Sequence, residues 1–247
     1  KVIDTMQEQK PEDNAPKYDF VGKEKEYQDL VLDGETDKAA ALREEIRSAE
    51  REQLMSEVQQ LLRYTWQCDN RVTLPMSGTG SAAMEASIAN FIEEGERILI
   101  AKKGYFGDRL VNIASRYRAD VRIIEKDWGN AFTLEEIKYA IEENKPSIFA
   151  IVHAETSTGV LQPLEGIGDI CRDNNCLFLV DAVTSLGALE LYIDKWKIDL
   201  AYSCSQKGLS CPPGLSPFTM NKRAEDKLLN RKTIVPNWYL DLSLLNK

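Results

Sequence analysis

The sequence predicts an α/β protein in which a mostly parallel sheet carries helices on both faces, preceded by an N-terminal arm and a long helix. Beyond Asn70, short runs rich in β-branched and aromatic residues alternate with helical stretches, a pattern typical of parallel strands joined by crossover helices. Before Asn70 the chain is strongly charged and lacks this alternation. We therefore expect an arm over residues 1–33, a helical region over 34–69 and an α/β domain over 70–247.

Residues 1–33 contain many charged side chains and two prolines, without sustained periodicity, which indicates a flexible or partner-ordered arm. From Thr36, a residue type favoured at helix N-caps, apolar residues recur at roughly helical spacing between charged ones. They are Leu42, Ile46, Ala49, Leu54, Val58, Leu61 and Leu62. This pattern predicts one long amphipathic helix, or two helices with a bend near Glu52. It would pack on the parent domain or pair as a coiled coil.

The alternation beyond Asn70 places each strand and helix. The predicted strands are 71–76, 97–101, 121–124, 147–153, 176–180, 198–203 and 216–220. The predicted helices are 81–93, 108–117, 133–143, 164–174 and 221–230. Ligands of such sheets bind at the carboxyl ends of the strands, so the residues that directly follow each strand are the candidates for a site.

The composition excludes several classes of protein. The formal net charge of −9 argues against nucleic-acid binding, which usually requires a basic surface. No window reaches the roughly 18 uninterrupted apolar residues of a membrane span. The five cysteines form no CxxC pair, and a single histidine, His153, rules out a His-rich metal site. We expect a soluble intracellular protein without a metal; the start at Lys1 rather than Met is compatible with processing and an organelle.

The first predicted strand leads into a run of small residues that opens a helix, Ser77-Gly-Thr-Gly-Ser81. A helix start offers free N–H groups and a positive dipole end to an anion, so Thr79, Gly80 and Ser81 would cradle a phosphate. A plain capping turn explains the run equally well. The run is neither a P-loop nor a GxGxxG motif.

Two further strand ends carry candidate residues. After the second strand, Phe106 lies between two glycines and could stack on a planar ring, although a core aromatic is the commoner explanation. After the fourth strand, the polar run 153–159, which includes Thr156, suits the floor of a site. A capped turn with a hydrogen-bonded histidine explains this run as well.

The last two candidates are a carboxylate and a lysine. Asp181 ends an apolar strand, where burial of its charge is costly unless a cation meets it, either a pyridinium N–H or a structural ion pair. Lys207 follows an apolar run within small residues, a setting that suits Schiff-base chemistry. A phosphate cradle, a stacking ring, a carboxylate and a reactive lysine are together what pyridoxal 5′-phosphate requires.

Six motifs carry a resemblance to a known family: SGTGSAAMEA (77–86), GYFGDRL (104–110), HAETSTGVLQPLEG (153–166), VDAVTSLG (180–187), YSCSQKGLSCPPG (202–214) and RKTIVPNWYLDL (231–242). From about Leu54 onward the chain resembles the alanine–glyoxylate / serine–pyruvate aminotransferases, in class V of the fold-type I pyridoxal-phosphate enzymes. The resemblance implies the large-domain fold of those enzymes. It also implies amino-group transfer between alanine or serine and the 2-oxo acids glyoxylate or pyruvate.

The resemblance also implies residue roles. Lys207 would be the catalytic lysine that forms the aldimine, Asp181 would hold the pyridine nitrogen, and Phe106 would stack on the ring. The other implied cofactor-binding residues are Thr79, Gly80, Ser81, Thr156, Val183 and Gln206. Members of the family are homodimers whose sites are completed by the neighbouring subunit.

The chain departs from the family at both ends. Residues 1–53 stand where relatives carry a Gly-Pro-Gly-type substrate loop, and we expect the small C-terminal domain, with its substrate-binding arginine, to be absent. Arg109 and Arg231 belong to the large-domain motifs, where we expect structural ion pairs. These departures leave an alternative function open, a catalytically impaired domain that acts as a structural or interaction subunit of a larger complex through residues 1–53.

Overall fold

The computed structural model describes residues 18–246, in two units that divide after Tyr64. The unit boundary lies a few residues before the predicted one at residue 70. Residues 1–17, about half of the predicted arm, lie outside the described residues. None of the helices within 18–246 has both the length and the apolar character needed to cross a bilayer.

The first unit contains helix α1 (Phe20–Leu32) and most of helix α2 (Thr36–Trp66). Asp19 caps α1 by accepting a hydrogen bond from the Gly22 N–H at 2.9 Å. Helix α2 runs without interruption through the position of the predicted bend, Glu52. The predicted arm is therefore partly helical. Because α1 has no buried residue, its sequence carries little of the apolar periodicity that would have indicated a helix.

The second unit is built on nine strands, each short. They are β1 (Val72–Ser77), β2 (Arg97–Lys102), β3 (Asp120–Glu125), β4 (Ile148–Val152), β5 (Ala154–Glu155), β6 (Val160–Leu161), β7 (Leu177–Asp181), β8 (Leu200–Tyr202) and β9 (Leu215–Met220). The helices are α3 (Gly80–Ala89), α4 (Tyr105–Arg116), α5 (Leu134–Asn144), α6 (Ile167–Asp173) and α7 (Lys222–Leu229), followed by a 3₁₀ helix, Leu242–Asn246.

Seven strands form one sheet in the order β1-β9-β8-β7-β4-β2-β3. The pairs from β3 through β2, β4 and β7 to β8 are parallel, whereas β9 is antiparallel to both of its neighbours. The predicted mostly parallel α/β fold is confirmed. The ribbon of β5 and β6 was not predicted, because each strand has only two residues, which is too short to produce a recognisable pattern.

The centre of the sheet is apolar except for Asp181 at the end of β7. Every residue of β4 and β7 is buried, and the rings of Phe149 and Phe178 stack across the two strands with centroids 6.0 Å apart. Burying each such side chain contributes about 1.5–3 kcal/mol. Because neighbouring strands run parallel, the ends of β2, β4, β7 and β8 meet at one edge, held firmly by this core.

Candidate active site

The carboxyl group of Asp181 lies at the end of β7, where the residue is 2% exposed. Its Oδ1 accepts a hydrogen bond from the Val183 N–H, and its Oδ2 accepts one from the Tyr202 hydroxyl, both at 2.9 Å. Burial raises the pKa of Asp181 from 3.8 to about 6, against the lowering effect of these two bonds. A carboxylate has about four lone-pair sites, so acceptor capacity remains for a cation.

Ionisable groups continue along this edge on the neighbouring strands. His153 directly follows β4, and its backbone N–H donates to the Asp181 carbonyl at 2.9 Å. Lys103 directly follows β2, which is the neighbour of β4 in the sheet. Burial lowers the pKa of Lys103 to about 8, against the negative charges of Glu155 and Asp181. Burial also lowers the pKa of His153 to about 4, and the charge of Lys103 acts in the same direction. The edge therefore holds a cluster of buried ionisable groups whose charges influence one another.

Lys207 is exposed, in the loop between β8 and β9. Two backbone hydrogen bonds shape this loop, from the Ser210 N–H to the Lys207 carbonyl and from the Cys211 N–H to the Ser205 carbonyl, each at 2.9 Å. Gly208 packs so closely that an added Cβ would lie 2.2 Å from the Leu186 carbonyl oxygen. The loop that carries Lys207 is thus anchored to the segment that follows Asp181.

Replacing Gly208 with alanine is expected to destabilise the protein by about 1–3 kcal/mol, because the new methyl group collides with backbone that cannot move aside easily. The adjacent Lys207 should shift with the loop. Urea unfolding measures the first effect. Cys211→Ala, an exposed change in the same loop, is the matched control and should change stability by less than about 0.5 kcal/mol. A Gly208→Ala variant as stable as the unmodified protein would contradict the prediction.

The predicted phosphate cradle packs against the same strand ends. Thr79 is the N-cap of α3 but makes no side-chain cap bond, which leaves the first N–H groups of the helix without that partner. An added Cβ on Gly80 would lie 2.9 Å from Val183 Cγ2 and 3.2 Å from Cys204 Cβ. The absence of a Cβ at Gly80 is therefore what lets this turn approach the ends of β7 and β8.

The side chains of Ser81 and Phe106 meet at a common cation, Arg109. Arg109 Nη1 donates to Ser81 Oγ at 2.8 Å, and its guanidinium carbon lies 4.9 Å from the centre of the Phe106 ring. Arg109 was expected to form an ion pair; in the structure it bonds to a hydroxyl and contacts a ring instead. Arg231, with the same expectation, donates to the carbonyls of Asn90 and Ile92.

The remaining predicted residues lie in the loops around this edge. Thr156 Oγ1 is 2.5 Å from Thr184 Oγ1, which places the β5–β6 turn beside the segment after β7. Burial raises the pKa of the Cys204 thiol. The charge of Asp181 raises this pKa further, whereas the Gln206 N–H and the charge of Lys207 lower it. The charges of both the predicted lysine and the predicted carboxylate therefore act on the Cys204 thiol.

Tyr202 and Arg109 are among the residues of this site that the sequence did not predict. Tyr202 ends β8 and bonds to Asp181, a contact that depends on the pairing of β7 with β8. Arg109 follows Phe106 by three positions, a spacing that puts two residues on one face of a helix. That spacing in the GYFGDRL motif was the signal that could have identified Arg109.

Comparison with known proteins assigns the chain to a family. The family model "Aminotransferase class-V" matches residues 36–233, and the chain belongs to that family. The chain is 41% identical over 195 residues to the alanine–glyoxylate aminotransferase of Rattus norvegicus, covering 79% of this chain and 47% of that protein. It is 44% identical over 181 residues to the (S)-ureidoglycine–glyoxylate transaminase of Bacillus subtilis, covering 73% and 44%.

A solved structure agrees with these sequence relatives. The crystal structure of an alanine–glyoxylate aminotransferase from Nostoc sp. superposes with a TM-score of 0.77 at 60% identity, covering 78% of this chain and 52% of that one. The chain spans about half the length of the curated relatives it matches.

Proposed function

We propose that this chain holds pyridoxal 5′-phosphate through Lys207 and forms the cofactor-binding part of an aminotransferase. The substrates would be small amino acids, alanine or serine, and the 2-oxo acids glyoxylate or pyruvate. The observation that carries the proposal is Asp181, a buried carboxyl with a raised pKa and acceptor capacity to spare. A pyridinium N–H supplies the cation that such a group requires.

The residues around Asp181 fit the rest of the cofactor. The start of α3 at Thr79, Gly80 and Ser81 offers N–H groups for the phosphate, and Arg109, bonded to Ser81, adds a positive charge there. Phe106 would lie on the ring, while Thr156, Val183 and Gln206 would line it.

When bound, the cofactor supplies an electron sink for charge that develops at the α-carbon of an amino acid. Asp181 would hold the proton of the pyridine nitrogen in place, because the negative charge of a buried carboxylate stabilises that N–H. Lys207 would take the proton from the α-carbon and return it elsewhere, as a general base and then a general acid. Tyr202 keeps the Asp181 carboxylate oriented through its hydroxyl.

Association of the chain stays a prediction, either a homodimer or a larger complex through residues 1–53. The alternative function, a structural subunit without catalysis, is not favoured by the comparisons, since the relatives named above are transaminases. A buried charge cluster that a cofactor would complete is also a costly feature for a purely structural subunit to retain.

A titration of the purified chain with pyridoxal phosphate tests the proposal. We expect a visible absorption band to develop at a stoichiometry of one cofactor per chain, and alanine followed by glyoxylate to convert the bound cofactor between its two forms. Absence of the band would contradict the proposal. A band that no amino acid changes would limit the chain to cofactor binding and support the structural alternative.

A further inference from the structure

The start of helix α4 is capped by residues that lie far away in the sequence. Its N-cap is Gly104, which has no side chain to offer. The Tyr105 N–H donates to Ser157 Oγ at 3.0 Å, and the Phe106 N–H donates to Glu155 Oε1 at 3.4 Å. The first N–H groups of a helix need acceptors, and here the loop that begins in β5 provides them.

Glu155 is itself fixed within this loop. The residue is 1% exposed, and its Oε1 also accepts from the Ser157 N–H at 3.2 Å and from Ser157 Oγ at 2.7 Å. Glu155 and Ser157 therefore act as one unit, which binds the two backbone N–H groups that directly precede the Cα of Phe106. A charged acceptor at a helix N-terminus is also favoured by the helix dipole.

Gly104 shows how closely this unit contacts α4. A Cβ on Gly104 would lie 2.4 Å from Glu155 Cγ and 2.6 Å from both Glu155 Cδ and Ser157 Oγ. The carboxylate thus occupies the space in which most residues would place a side chain. The glycine at this position is explained by the contact with Glu155.

Burial of Glu155 is costly, and only part of that cost is offset. Within residues 18–244, Glu155 Oε2 accepts no hydrogen bond, although it is buried. The buried ammonium of Lys103 supplies a nearby positive charge. The charge of Glu155 accordingly opposes the effect of burial, which lowers the pKa of Lys103. An incompletely satisfied carboxylate at a candidate site points to a role beyond stability.

We propose that Glu155 is a positioning residue that fixes the start of α4, and with it the ring of Phe106, at the cofactor site. The inference rests on the proposed function, in which Phe106 lies on the cofactor ring. In this scheme Glu155 affects cofactor binding only indirectly, because it accepts a hydrogen bond from the Phe106 N–H and so holds the Phe106 ring in place. Its effect on cofactor binding should therefore vanish when the aromatic ring is absent.

The first test uses the chain without cofactor and so does not depend on the proposed function. Hydrogen exchange of the Phe106 amide is expected to accelerate about tenfold in Glu155→Ala, because its acceptor is lost. Exchange of the Tyr105 amide should also accelerate, because Ser157 loses the carboxylate that holds its hydroxyl group. Glu155→Gln retains a carbonyl acceptor and should exchange nearly as slowly as the unmodified protein. Glu165→Ala, which removes an exposed carboxylate further along the chain, is the matched control. Unchanged exchange in Glu155→Ala would overturn the inference.

If Glu155→Ala does not fold, Ser157→Ala replaces it. This variant removes the acceptor of the Tyr105 N–H and one partner of Glu155, and it leaves the buried carboxylate in place. We expect faster exchange at the Tyr105 amide with little change in the exchange of β4 and β7. Slow exchange at Tyr105 in this variant would show that the loop does not cap α4.

The second test is a double-mutant cycle on the dissociation constant of pyridoxal phosphate. Glu155→Ala and Phe106→Leu are each expected to weaken binding about tenfold, and the double variant should bind no more weakly than Phe106→Leu alone. Losses that add would show that Glu155 acts independently of Phe106 and would overturn the inference. An unmodified chain that binds no cofactor would instead refute the proposed function, and the exchange test would still decide the role of Glu155.

Discussion

Replacing Lys207 with alanine is expected to abolish the covalent attachment of pyridoxal phosphate and to lower transamination by at least about 10²–10⁴-fold. The side chain is exposed in a loop that is anchored against the segment after Asp181, so we expect its amine to reach a ligand at the sheet edge. No other residue in the described part of the candidate site combines an accessible amine with this placement.

Treatment with borohydride followed by peptide mapping measures this result. In the unmodified chain, borohydride should make the bond between cofactor and lysine permanent, and the label should map to the peptide containing Lys207. Lys103 is the competing lysine, because burial lowers its pKa to about 8 and leaves more of it unprotonated near neutral pH. Lys103 is 1% exposed, however, and we expect no label there. A label on Lys103 would refute the assignment of Lys207. Lys195→Ala, an exposed lysine away from the loop, should leave labelling unchanged.

Replacing Asp181 with asparagine is expected to lower turnover at least about 10²-fold and yet to stabilise the chain without cofactor. Asparagine keeps the shape and can still bond to the Val183 N–H and the Tyr202 hydroxyl. It cannot stabilise a pyridinium N–H through a negative charge. The comparison therefore separates the charge of Asp181 from its role in packing.

The stability gain should depend on pH in a defined direction. The folded-state pKa of Asp181 is raised to about 6, so its ionisation at neutral pH costs the folded chain roughly 3 kcal/mol. That cost is absent below the unfolded pKa and grows as the pH rises through 6. Asp181→Asn should therefore be more stable than the unmodified chain at about pH 7.5 and nearly equal to it at about pH 4.

Urea unfolding of both chains without cofactor, at the two pH values, checks this expectation. The difference between the chains is the informative quantity, because His153 acts in the opposite direction in the same range. The pKa of His153 is lowered to about 4, so the unfolded chain binds this proton more readily than the folded chain. The folded chain therefore loses stability as the pH falls from about 6.5. A difference between the two chains that is the same at both pH values would show that Asp181 is not a buried, destabilising charge.

The sequence predicted the sheet and its strand ends well because the strands alternate regularly with helices, and each of the seven sheet strands lies where the apolar runs indicated. Helix α1 was not distinguished from the arm, because none of its residues is buried and its pattern is weak. The confirmed fold therefore follows from signals that burial imposes on sequence, and the missed helix lacks such burial.

The candidate site was only partly accessible from the sequence. Strand-end reasoning selected Asp181 and Lys207, whose placement follows from the parallel sheet. The contact of Tyr202 with Asp181 required the order of β7 and β8, and the cap of α4 by Glu155 joins residues 49 positions apart. Such contacts leave no local pattern, so they become visible only in three dimensions.

The position of β9 has a consequence for how this protein folds. β9 is the last strand of this sheet in the amino-acid sequence, yet it lies inside the sheet, between β8 and β1. Within the described sheet, β1 pairs with β9 alone. The turn that carries Thr79, Gly80 and Ser81 leaves β1 directly. During synthesis, this turn cannot reach its final place until residue 220 has left the ribosome. Closing so long a loop carries an entropic cost and slows folding, which makes the anion-binding turn one of the last parts to form although it is encoded near the start of the domain.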